Sequence, residues 1–420
     1  MTRISKILES KLAKNGFWMI LLQGFNTIIP LLTLPYITRI LSTSSYGEFS
    51  IALNWIGYFQ VIVEYGFGLT GARRAATYKN KEKVDKVHSS IICARLVLLA
   101  FCMILFIVVI ITSKIEKMQI ICMIILFLMV VAVVFQQNWY FQGIAEMKNI
   151  AIINVISRTI SVVLIFLLVK VPEDLYLYCL LYISNFLISS LVGCIVVWTK
   201  YKVKFSFQSF NAIKNEIIEG WPLFVSSAMT KIFGSIGITI LGIISTKDAV
   251  GVYSAINKIP YILTLAFSAI SQALYPFMCN SFVGSFDEGV KKVRKYAVPV
   301  FLFFAIGGIF IILTNKIIVN IAFGADYVGS STLLIPFVIW VLFGIINNFL
   351  GIQTLVASGH QKEYSMAFTI SIVVMLVLMF VLGHIFGAYG IAYASMVSEI
   401  ALSVMLIMFI RKISEREFAS

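Results

Sequence analysis

Apolar runs of about 20 residues, the length at which a helix crosses a bilayer, follow one another along almost the entire chain. Short polar stretches separate them. Hydropathy, with the polar stretches as punctuation, predicts twelve membrane-spanning helices near residues 16–39, 47–71, 91–112, 118–139, 150–169, 175–198, 220–244, 250–281, 297–314, 331–356, 366–386 and 389–410. The longest polar stretches run only about 15 to 20 residues, so no separate water-facing domain is expected.

Composition narrows the class further. Of 420 residues, 60% are hydrophobic and 12% charged, against about 25% charged in soluble globular proteins. A water-facing surface cannot be built from this chain, and the expected fold class is an all-α polytopic membrane protein. A net charge of +14 raises nucleic acid as a partner, but the distribution points to the lipid bilayer instead. Lys and Arg number 23 in the termini and even-numbered loops, against 6 in the odd-numbered loops. By the positive-inside rule both termini are cytoplasmic. In residues 1–15, Ile4, Ile7, Leu8 and Leu12 share a helical face while Arg3, Lys6, Lys11 and Lys14 occupy the rest. That suits either a helix lying on an anionic leaflet or a basic tail that orients the first span. The six cysteines fall inside apolar runs without C-x-x-C spacing and read as small buried hydrophobes. None of the three histidines has a histidine or cysteine at i+3 or i+4, so neither a metal nor another cofactor is expected.

The halves repeat. Gly16-Phe17 recurs as Gly220-Trp221, and Tyr46 to Ser50 as Val250 to Ser254, both at an offset of 204 residues. Gly143 resembles Gly359 at an offset of 216. Six spans per unit preserve orientation, so the repeats run parallel, about an axis along the membrane normal. The expected organisation is two pseudo-symmetric six-helix lobes, residues 1–210 and 211–420, with a central cavity between them.

Several spans carry groups that hydrocarbon should not tolerate. An ionisable side chain at mid-bilayer costs about 2.5 to 3.5 kcal/mol on insertion scales. Arg95 lies near the cytoplasmic end of its span and is expected to snorkel. Arg158, Lys231 and Glu399 sit roughly 12 to 18 Å from the nearest span end at helical rise. The polar faces are built from Gln23, Asn26 and Thr27 on span 1, and from Asn54, Tyr58 and Glu64 on span 2. Span 5 contributes Asn154, Ser157, Arg158 and Ser161; span 7 contributes Ser227, Lys231 and Ser235. Span 8 carries Asn257, Lys258, Thr264, Ser268, Gln272 and Tyr275. Such faces suit the wall of a wet cavity, or helices glued by interhelical hydrogen bonds. Three buried cations, Arg158, Lys231 and Lys258, imply an anionic ligand such as a pyrophosphate. Glu64 and Glu399 are expected either to pair with these cations or to exchange protons.

Certain motifs are specific. Asn15-Gly16-Phe17-Trp18, Leu34 to Leu41 (LPYITRIL), Tyr46-Gly47-Glu48-Phe49, and Glu64 to Leu69 (EYGFGL) followed by Arg73-Arg74-Ala75-Ala76 stand in the first half. Trp139 to Gly143 (WYFQG) and Gly251 to Ala255 (GVYSA) come later. Together they resemble the polysaccharide transporter branch of the multidrug/oligosaccharidyl-lipid/polysaccharide exporter superfamily, specifically its Wzx-type O-antigen flippases, over essentially the whole chain. That branch often has Asp where Glu64 stands.

The resemblance implies a multi-pass protein of the bacterial inner membrane that is not an enzyme. It implies translocation of an undecaprenyl-diphosphate-linked oligosaccharide, such as an O-antigen unit, to the outer leaflet by alternating access. The polysaccharide polymerase and chain-length machinery are partner candidates. The rival readings are a cation/drug antiporter of the related multidrug branch and a membrane polysaccharide polymerase. The first should favour cavity carboxylates over three cations. The second needs a catalytic loop or D-x-D site, and the longest odd-numbered loop has about 16 residues and no D-x-D occurs.

Overall fold

The computed structural model describes residues 3–78, 80–112 and 115–419, with side chains from Lys14 to Glu415. The amphipathic face expected at Ile4 to Leu12 lies outside the described side chains. Fifteen α-helices run through the described residues, and no strand occurs among them. They are α1 (Arg3–Ile40), α2 (Thr43–Glu64), α3 (Phe67–Thr77), α4 (Lys81–Thr112), α5 (Lys117–Phe135), α6 (Asn138–Gly143), α7 (Met147–Leu168) and α8 (Leu175–Thr199). Then come α9 (Phe210–Ile244), α10 (Lys247–Ile256), α11 (Lys258–Ser281), α12 (Phe286–Leu313), α13 (Asn315–Phe323), α14 (Leu334–Asn347) and α15 (Gln361–Ala419).

Ten helical stretches among the described residues are long and apolar enough to cross a membrane. Two further spans complete the expected twelve. One is α2, 22 residues long, whose Glu48, Asn54 and Glu64 dilute its hydropathy. The other is hidden in α15. Its 59 residues would extend about 88 Å at 1.5 Å per residue, nearly three times the hydrocarbon thickness of about 30 Å. The path breaks at Gly387, with φ 55° and ψ −129°. A Cβ on Gly390 would lie 1.9 Å from the Leu382 carbonyl oxygen, although eight residues of straight helix span about 12 Å. The chain therefore turns back at a corner that only glycine permits, and α15 is two spans.

Two compact units emerge, residues 1–239 and 240–420. In the first, α2 packs on α5, α5 and α7 on α8, and α1 on α7. Its core gathers Phe67, Ile91, Trp139, Tyr140, Phe141 and Ala151, so the WYFQG motif is a packing motif. The EYGFGL motif is a turn: Tyr65 (φ 49°) and Gly66 (φ 78°) both adopt left-handed backbone and end α2 ahead of α3. In the second unit α14 packs on α12 and α15. One apolar cluster there includes Phe267, Phe304, Ile345 and Phe349; another includes Phe286, Leu355, Leu402 and Leu406.

Arg95 corrects an expectation. It does not snorkel; it is 3% exposed. Its Nη1 donates to the carbonyl oxygens of Val133 and Gln136, each at 3.1 Å. Those carbonyls close the C-terminal end of α5, where oxygens lack intrahelical partners and the helix dipole is negative. A helix terminus supplies what the headgroups were expected to.

Candidate functional site

In the first unit α7 carries Arg158 against α1. The Arg158 Nη1 donates to the Asn26 side-chain oxygen at 2.6 Å, and no carboxylate pairs with Arg158 among the described residues. A guanidinium offers five N–H donors. A neutral amide oxygen takes one and leaves the charge uncompensated. Gln23, one turn before Asn26 on α1, is exposed, and its backbone oxygen accepts from the Thr27 hydroxyl.

Lys231 reaches from α9 onto α2. Its Nζ lies 5.6 Å from the centre of the Tyr58 ring, a cation–π distance. The approach depends on Gly57, because a Cβ there would stand 2.5 Å from that Nζ. Deeper along the same pair of helices, Asn54 donates to the Thr239 hydroxyl at 2.8 Å, and the Tyr58 hydroxyl lies 2.7 Å from the same oxygen. Asn54 is buried and ties helices together. So does Asn154, which donates to the Ile150 carbonyl at 2.8 Å and lies within hydrogen-bond distance of Asn138 and Ser189. Glu64 is exposed at the end of α2, within electrostatic reach of Arg95.

The second unit holds a cavity of about 870 Å³ lined from α11, α14, the π-helical turns Asn348–Val356 and α15. Gln272 and Glu399 both face it, with Trp340, Asn348 and Tyr364. Glu399 is supplied with donors. Asn347 Nδ2 donates to its carboxylate at 2.5 Å and to its backbone oxygen at 2.8 Å, and the Trp340 indole also bonds it. Ser403 orients Asn347 by donating to its side-chain oxygen at 2.6 Å. Beside this, Gln353 donates to the Ser271 carbonyl at 2.9 Å and Ser271 to Asn348 at 2.8 Å. The sequence reading missed Asn347, Asn348 and Gln353. Their signal was present, since they are amides inside an otherwise apolar span. Asn257 and Lys258 lie at the α10–α11 junction, outside the walls of this cavity. Lys258 is exposed.

At the end of α3, outside the spans, Arg73 bonds Glu219 at 2.7 Å. Arg74 pairs with Glu216 and lies 3.7 Å from Glu219. Burial pulls the Arg74 pKa down, but the hydrogen bond and charge of Glu216, with the charge of Glu219, outweigh it and hold the pKa above its ordinary value. The acids lie three residues apart on one face of α9, a pattern readable in sequence only once their partners on α3 are known.

Comparison with known proteins gives a consistent set. The family described as "Polysaccharide biosynthesis protein" matches residues 12–282. A protein of Escherichia coli (strain K12) named "Putative O-antigen transporter" is 25% identical over 410 residues, covering 95% of this chain and 97% of that protein. Among solved structures, the lipid II flippase MurJ in an inward closed conformation superposes with a TM-score of 0.72 at 16% identity, covering 94% of this chain and 87% of that one. An inward-facing multidrug resistance MATE family transporter of the MOP superfamily gives 0.63 at 15% identity, covering 93% and 99%. At such identities the two structural likenesses are of fold.

Proposed function

Since the chain belongs to the polysaccharide biosynthesis protein family, we propose that it is a flippase that carries an undecaprenyl-diphosphate-linked oligosaccharide from the cytoplasmic to the outer leaflet of a bacterial inner membrane. The observation that carries this reading is Arg158, a cation inside the spans whose partner is a neutral amide. A charge held in hydrocarbon needs compensation, and a planar guanidinium fits the oxygens of a diphosphate. Lys231 and Lys258 add positive potential along the route, and the prenyl tail stays in lipid. The two repeats rock to expose the site to each side in turn, with both termini cytoplasmic. Glu399 is the coupling group: neutral donors hold its carboxylate, which is free to exchange a proton or cation with the cavity.

A cation or drug antiporter is the second reading, and Glu399 beside Trp340 and Tyr364 is the observation in its favour. Transport by a deletion strain decides between them. Lipid-linked repeat units should accumulate on the cytoplasmic face of the deletion strain. The wild-type gene should restore surface polysaccharide, and Arg158→Ala or Lys231→Ala should not, at matched protein levels. Unchanged surface polysaccharide in the deletion strain, with altered resistance to cationic drugs, would favour the antiporter instead.

A further inference from the structure

Between α8 and α9 the chain runs irregularly over residues 202–209, and this stretch joins exposed aromatic rings to exposed ammonium groups. Phe207 is 88% exposed and Phe210 77%. Trp198 and Phe205 are exposed as well, and Phe205 meets Phe207 edge-on with ring centroids 5.3 Å apart. Lys200, Lys202, Lys204 and Lys214 are all exposed, and no acidic residue occurs from Lys200 to Asn215.

The stretch is also fastened down. The Ser206 amide donates to the Ser89 hydroxyl at 3.1 Å, and that hydroxyl lies 3.3 Å from the Lys204 carbonyl oxygen. Val203 is buried in the core of the first unit. Asn149 donates to the Tyr201 hydroxyl at 2.8 Å. The backbone is therefore held by the body of the protein while the phenyl rings point away from it.

Rings so displayed in water would leave apolar area uncovered for no gain. The flanking helices, however, both cross the membrane in the reading above, so the stretch lies at a bilayer boundary. There aromatic rings seat at headgroup level and lysines are drawn to anionic phosphates. We infer that residues 198–210 form an interfacial anchor on the anionic lipid surface, with Phe205, Phe207 and Phe210 beneath the headgroups and Lys200, Lys202 and Lys204 on the phosphates. The occupant is lipid because the cationic run is unbroken by acids and the site meets the bilayer plane on both sides. Its consequence is that the connection between the two repeats is pinned to the membrane plane.

The test places an environment-sensitive NBD label on Phe207→Cys in the full-length protein, in lipid nanodiscs with or without phosphatidylglycerol. Five of the six native cysteines are buried and Cys279 is half-buried; the unsubstituted protein, labelled in parallel, sets the background. In anionic discs the label should emit to the blue and be quenched by nitroxide on shallow lipid positions. Both effects should weaken in neutral discs and in the K200Q/K202Q/K204Q variant. A label that emits as in water and is quenched by iodide in anionic discs overturns the anchor. So does a label shielded only after a soluble cell extract is added, which would mean a protein partner. Phe210→Cys repeats the measurement should the first variant fail to fold. Discs show the same lipid on both faces, so the outcome is independent of the orientation and flippase readings.

Discussion

The two units handle a charge inside the membrane in opposite ways. In the first, the Arg158 guanidinium donates to a neutral oxygen on Asn26 and meets no carboxylate among the described residues. In the second, Glu399 is met by N–H donors from Asn347 and Trp340, and Ser403 holds Asn347 in position. The cation looks outward for compensation, while the carboxylate is stabilised from within by neutral donors. Two units of one chain thus carry unlike chemistry. This asymmetry is why the proposed roles differ, anion binding for Arg158 and coupling for Glu399.

Removing the cation should have the largest effect. Arg158→Ala forfeits charge-assisted hydrogen bonds of about 2 kcal/mol, on the order of 30-fold in substrate affinity, and should cut surface polysaccharide accordingly without lowering protein abundance. Arg158→Lys keeps the charge but not the fork and should recover only part of the loss. Equal activity in all three proteins would remove Arg158 from the substrate path. A subtler change targets the same point from the other side. Asn26→Asp would place a carboxylate against the guanidinium and compensate it permanently. The expected result is a protein at least as abundant as the wild type, with transport down roughly tenfold, about one charge-assisted hydrogen bond's worth. Undiminished transport by that variant would show that the charge of Arg158 needs no ligand.

Glu399→Gln probes the second unit. It preserves size while removing the ionisable oxygen, so the Asn347 and Trp340 donors keep one acceptor. Transport driven by an ion gradient in proteoliposomes should fall several-fold, the scale set by losing one charged hydrogen-bonding partner. Exchange in the absence of a gradient should persist. Were both modes to fail together with the protein folded, Glu399 would be part of the substrate site and the contrast between the units would narrow.

Much of this was legible beforehand because hydrocarbon imposes a simple code. Span lengths and the grouping of polar side chains on shared helical faces follow from hydropathy and helical spacing, whereas the lack of a carboxylate against Arg158 among the described residues is a finding of the structure. What was not legible depends on partners distant in sequence or on backbone turns. Arg95 reads as a snorkelling residue until α5, some 40 positions later, delivers its terminal carbonyls. Spans 11 and 12 are separate in hydropathy, but the corner at Gly387 and Gly390 is a matter of backbone angles. Nor could spacing say which polar residues on a shared face are ties. Asn26, Asn54 and Asn154 look alike in sequence, yet Asn54 meets Thr239 on α9 and Asn154 meets Asn138 and Ser189 on α6 and α8, while Asn26 holds the cation.

That distinction gives the smallest expected effect and a useful control. Asn54→Ala removes the bond to Thr239, but Tyr58 still reaches the same hydroxyl, so no buried oxygen is orphaned. Interhelical hydrogen bonds in membranes average about 0.6 kcal/mol; a slight drop in thermal stability of the solubilised protein is expected, with transport within roughly threefold of wild type, as that energy allows. A collapse of transport in a stable Asn54→Ala protein would mean that the second polar face also contacts the substrate. The substrate path would then extend along the α2–α9 face beyond Lys231 to Asn54, and the site could no longer be centred on Arg158.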